Sequence, residues 1–269
     1  VKVAQGIAPA WLKPLPPFST DKLDESWSHC DLLLQLSAED PVVVAHAIRV
    51  LSKDVRIFAK LRWRQDGFRH AASTMKPGTT MRNLFGQVDG TVNPEPGSAR
   101  FNKAVWCDSG WWAGGTSLVL RRIEMNLDRW DPVSREGREE SIGRRLNDGA
   151  PLTGSKEHDE PDFDAKDDYG MEVIAPYAHI RRARTDDPTQ IIFRRPYNYD
   201  VPPAAGETTS SGLLFASFQA DVDHQFVPIQ RRLAELDLLN EWTTAIGSCV
   251  FVIPPGCKPG GFIGDTLLA

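Results

Sequence analysis

From Thr116 onward the chain follows an order of elements that few folds accommodate. "TSLVLRRIEM" reads as a strand, "REGREESIGRRL" as a charged helix, "QIIFRRPY" and "GLLFASFQAD" as two strands, "QFVPIQRRLAELDLL" as an amphipathic helix and "SCVFVIPPG" as a closing strand. The periodicity switches from two to 3.6 and back at turn-forming residues, which is what distinguishes the two element types in sequence. The resulting β-α-β-β-α-β string is the split βαβ unit.

The first half holds a shorter version of the same string. "DLLLQLSA" (31–38) predicts a buried strand, "EDPVVVAHAIRVLSKDV" a helix opened by acidic residues and Pro41, and "FAKLRWRQDGF" a strand ending in a turn. With "VKVAQGI" as a further strand, this half reads β-β-α-β, a ferredoxin-like unit without its opening strand and helix. The fold class expected is therefore α+β, with two ferredoxin-like domains, residues 1–95 (incomplete) and 96–269. A sheet lacking that pair would expose an edge and an apolar face, so the remainder is expected as a cleaved piece or a second chain.

Composition excludes several classes. With 41% hydrophobic and 25% charged residues the chain is an ordinary globular sequence, and a net charge of −5 disfavours nucleic acid as a partner. No apolar run approaches membrane-spanning length. The four cysteines include no CxxC pair; Cys249 and Cys257 flank "VFVIPPG" and could bridge in an oxidising compartment, the alternative being four buried thiols.

Met75 to Ser109 is a long Gly-, Pro-, Asn- and Asp-rich connection, and ordered connections of this length tend to carry function. Within it lies Asp89-Gly90, first of all a turn signal, but placed after "RNLFG" where Gly86 and Gly90 allow a ligand close to the backbone. The six histidines show neither HxxxH nor HExxH spacing, so a zinc-protease site has no support. His179 differs from the rest in lying among apolar and basic residues, "APYAHIRRAR", just ahead of a strand. Arg194 and Arg195 end that strand, and alternation sends them to opposite faces. No GxSxG elbow or phosphate-loop GK[ST] is present. The acidic run from Glu157 to Asp168 reads as a solvated loop rather than a calcium or manganese site.

Taken together, "NLFGQVDGTVNP", "GAPLTGSKEHDEPDF", "AHIRRA", "IIFRRPYNYD" and "GLLFASFQADVDHQFVPIQRRL" resemble the dye-decolorising peroxidases in order and spacing, most closely their secreted bacterial branch. The resemblance implies two ferredoxin-like domains with one haem b per chain, held mainly by the second. It implies His179 as proximal ligand of the haem iron, and Asp89 with Arg194 as the distal pair, Arg195 being the alternative arginine. Asp221, with Asp223 beside it, would be the carboxylate behind His179, and Leu213 and Phe215 the apolar residues over the distal haem face.

The activity implied is reduction of hydrogen peroxide coupled to oxidation of phenolic or dye-like aromatic donors, in an extracytoplasmic setting and compatible with a homo-oligomer. A haem-binding or haem-iron-release protein with little turnover is the alternative, since it needs His179 but not the distal pair. A carboxylate that relays protons acts only when ionised, so the peroxidase reading implies activity persisting into acid.

Overall fold

The structure is a computed structural model that describes residues 8–71, 74–76, 78–203, 205–206 and 208–268. Its helices are α1 (Pro41–Val55), α2 (Ala99–Val105), α3 (Leu127–Trp130), α4 (Arg135–Ile142), α5 (His179–Ala183), α6 (Val227–Leu236) and α7 (Asp265–Leu268). Its strands are β1 (Thr116–Met125), β2 (Phe193–Arg194), β3 (Tyr197–Val201), β4 (Ser210–Gln219) and β5 (Thr243–Ile253).

The second half builds the expected unit. All pairings are antiparallel, in the order β2-β4-β1-β5, with β3 also on β4. On β1, Ser117, Val119, Arg121 and Ile123 share a face with Gln219, Ser217, Phe215 and Leu213 of β4. That face carries two apolar clusters, one around Val119, Val222 and Phe226, the other around Phe85, Met125, Trp130 and Leu213; Phe215 touches both.

Two predicted elements are cut short. "QIIFRRPY" is broken into β2 and β3 because Pro196 has no N–H to give the ladder. The helix over 135–146 stops at Ile142, where Gly143 takes a left-handed φ of 86° and its N–H caps the Glu139 carbonyl. A side chain at Gly143 would also strike Ile180 and Ile174, so the same residue lets α5 pack close.

The first half departs further from expectation. Helix α1 forms where Pro41 placed it, capped by Asp40, yet it buries no residue. Residues 31–38 and 58–66 form no strand, and among the described residues of the second stretch's sequence only Phe68 bridges a strand residue, Asn198. Extended chain becomes sheet only when a neighbour supplies complementary N–H and C=O groups, and none of the described residues supplies such a ladder here. The predicted strand over 1–7 lies outside the described residues. By contrast, the proline-rich opening docks well: Trp11 and Phe18 are buried, and Asp21 pairs with Arg121 in the interior of the sheet face, beneath the Phe18 ring.

Candidate functional site

The loop carrying Asp89 is held by its own backbone chemistry. Asn83 Oδ1 accepts from the N–H groups of Phe85 and Gln87, and the Asn83 N–H donates to the Gln87 carbonyl at 3.0 Å. Gly86 (φ 79°) completes this turn and Gly90 (φ 120°) the next, both conformations that favour glycine. Phe85 stacks on buried Trp130 at 4.4 Å and its carbonyl accepts the indole N–H, anchoring the loop on the sheet. The Asp89 N–H then donates to the Met81 carbonyl at 2.9 Å.

A second loop clamps the first. Glu157 Oε1 accepts hydroxyl hydrogen bonds from Thr80 (2.6 Å) and Thr91 (2.9 Å), and Gly149 (φ 72°) brings the backbone against Val88, where a side chain would not fit. Asn93, at the end of the Asp89 loop, pairs with the backbone of Arg194: its Nδ2 donates to the carbonyl at 2.7 Å and its Oδ1 accepts from the N–H at 2.9 Å. This double bond sets β2 against the loop and places Arg194 Nη1 3.5 Å from Asp89 Oδ1. Arg195 faces elsewhere, donating to the Tyr197 hydroxyl at 3.1 Å, as strand alternation requires.

His179 opens α5. Its Nδ1 lies 2.6 Å from Asp237 Oδ2, while Asp237 Oδ1 accepts from the Leu239 N–H. The carboxylate behind His179 is therefore Asp237 and not Asp221, a correction to the sequence reading. Asp221 is exposed at the other end of α6, where it accepts from the His224 N–H and caps the π-helical turn Val222–Phe226; Asp223 pairs with Lys13. Burial lowers the His179 pKa, but the charge and hydrogen bond of Asp237 outweigh it, and the net shift is upward; Arg194 and Asp89 also act on the ring. Its Nε2 bonds to none of the described residues. The three side chains are partly accessible, His179 at 26%, Arg194 at 21% and Asp89 at 13%.

Arg144 extends the charged rim. It is buried, donates to the Gly149 and Glu157 carbonyls, and its pKa is lowered by burial and by the like charges of Arg184 and Arg194. Three guanidinium groups thus gather within electrostatic reach of one another. Leu213 and Phe215 sit on the same sheet face as the Phe85 anchor, as strand core.

The structure brings together Asp89, Arg194 and His179, the residues that the resemblance implies, and adds Asp237, Asn93 and Glu157, for which the sequence reading has no signal. The acidic run from Glu157 onward forms turns: Asp159 caps Ser155 and Lys156, Asp167 caps Tyr169 and Met171. Among the described residues no group of His, Cys, Asp and Glu is arranged to hold a metal ion, and no helix is long and apolar enough to cross a membrane.

Residues 80–258 match the family model for the C-terminal region of Dyp-type peroxidases and residues 2–69 the model for their N-terminal region. The chain is similar to a dye-decolorizing peroxidase of Thermobifida fusca, 37% identical over 98% of this chain and 64% of that one. It is similar as well to a deferrochelatase of Escherichia coli K12, 34% identical over 98% of this chain and 65% of the relative. It thus spans a little under two thirds of the length of these curated relatives. Among solved structures, a DyP-type peroxidase from Cellulomonas bogoriensis superposes with a TM-score of 0.93 at 52% identity, covering 97% of this chain and 73% of that one. Ferric DtpA from Streptomyces lividans gives 0.92 at 39%, covering 97% and 72%.

Proposed function

The chain belongs to the Dyp-type peroxidase family, and from that premise we propose that it is a haem peroxidase, reducing hydrogen peroxide and oxidising phenolic or dye-like donors. The observation that carries this reading is the joint arrangement of His179, with Nε2 open and Nδ1 on Asp237, and the paired Asp89 and Arg194.

The residues fit the cofactor. An imidazole with one nitrogen bound to a carboxylate and the other open is a strong axial donor, and the carboxylate fixes its tautomer and raises its basicity. Arg144, Arg184 and Arg194 supply positive charge suited to the two propionates of a haem. Bound haem would supply the iron at which two electrons are passed to peroxide.

Release of one peroxide oxygen as water needs a proton moved between the two oxygens; reduction of the other to a second water takes two electrons from the donor and two protons. Asp89, as carboxylate, accepts the proton from one peroxide oxygen and returns it to the other, which then leaves as water. Arg194 stays protonated and so cannot relay, but its fixed charge stabilises negative charge on the departing oxygen. Asn93 holds the two at working separation through the Arg194 backbone.

The deferrochelatase relatives support a second reading, release of iron from haem. The ion-paired distal couple favours the peroxidase, since removal of iron from haem does not require a proton relay between peroxide oxygens. Titration with haemin tests the proposal: a Soret band that His179→Ala weakens or shifts, together with peroxide-dependent oxidation of a phenol, is expected. Haem binding with free porphyrin as product and no donor oxidation would favour iron release, and failure to bind haem would end both readings.

A further inference from the structure

We propose that Cys30 and Cys249 form an intramolecular disulfide that staples the N-terminal segment to β5. The inference is independent of haem chemistry and rests on how residues 21–30 lie against that strand. The Lys22 N–H donates to the Ala245 carbonyl at 3.0 Å, the Asp24 N–H to the Ile246 carbonyl at 2.9 Å, and the Ser248 N–H to Ser28 Oγ at 3.3 Å. Gly247 permits this approach, because a Cβ there would come within 2.7 Å of the Trp27 carbonyl oxygen.

His29 then adopts a left-handed conformation (φ 45°), the single non-glycine residue with positive φ among those described, and turns the chain. The turn brings Cys30 beside Cys249, near enough for the two thiols to act on each other's ionisation, while the Cys249 thiol points at the Trp27 carbonyl at 3.9 Å. The bridge to Cys257 raised by sequence is disfavoured. Cys257 is exposed beyond the end of β5, whereas Cys249 lies in mid-strand with four extended residues between it and that end. Cys107 is buried elsewhere, against the Ala220 carbonyl.

Burial raises both thiols, Cys249 up to about 12, and reaction starts at Cys30 because it is the partly exposed one. With a small disulfide such as oxidised glutathione, the Cys30 thiolate attacks one sulfur and expels a glutathione thiolate, leaving a mixed disulfide. Cys249, on losing its proton to solvent, attacks Cys30 Sγ and expels the second. Two protein thiols are oxidised, one glutathione disulfide is reduced to two thiols, and the two protons released end on them.

The test is to incubate the folded protein with oxidised glutathione, alkylate the remaining thiols and map peptides without reduction. The expected result is one linkage, Cys30 to Cys249, with Cys107 and Cys257 alkylated, and a melting temperature raised by about 5 °C that reduction reverses. Cys30→Ser, a change at a partly exposed position, should fold, bind haemin as before and lose the shift. Linkage of Cys249 to Cys257, or alkylation of all four cysteines after prolonged oxidation, would overturn the proposal.

Discussion

Residues 116–253 and residues 31–68 carry comparable apolar patterns and end in opposite states. In the first, Val119 is fully buried and Leu213 is 7% exposed; in the second, Leu32 is 61% exposed, Leu61 74% and Phe58 83%. The difference lies in partners rather than in propensity. β1 finds β4 on one side and β5 on the other, each supplying a ladder of hydrogen bonds and a shared apolar face. The segments around Leu32 and Leu61 carry apolar residues enough for strands, and among the described residues they have no ladder to join.

The largest effect should come where the N-terminal segment does engage the sheet. Asp21→Ala leaves the Arg121 guanidinium buried and unpaired, which costs about 3 to 5 kcal/mol, read as a lower midpoint in urea. A cost under about 1 kcal/mol would mean that this segment is as loosely held as residues 31–68. Next, Leu213→Ala should cost about 3 kcal/mol through a core cavity, while Leu32→Ala should stay within about 0.5 kcal/mol. Equal losses would erase the contrast between the two regions.

The structure also separates two aspartates that flank α6 in sequence. Asp237→Asn, which weakens the hold on His179 Nδ1, should lower haem affinity about tenfold or more, whereas Asp221→Asn should change it little and lose only a turn cap. The reverse ranking would restore Asp221 to the role that resemblance first suggested.

What was legible in sequence was what local pattern encodes. β1, β4, β5 and α6 follow from apolar period, and the turn at Asp89 from its glycines. Pro196 and Gly143 are breaks in the sequence that end β2 and α4 before the apolar period does. Asp237, Asn93 and Glu157 were invisible for a different reason: each acts through a contact across at least 58 positions, and each residue type also serves as a common cap or turn former. Asp221 is such a case, chosen for its block and found capping a turn.

The most direct test of the central claim, that Asp89 relays the peroxide proton beside Arg194 while His179 holds the haem, is stopped-flow mixing of haem-loaded protein with peroxide. Wild type and Asp89→Asn would be compared through the change in the Soret band. The expected result is an unchanged resting spectrum and a rate at least about 100-fold slower in the variant, the usual scale of general acid–base catalysis. An unchanged rate in Asp89→Asn would contradict it and leave Asp89 a turn residue.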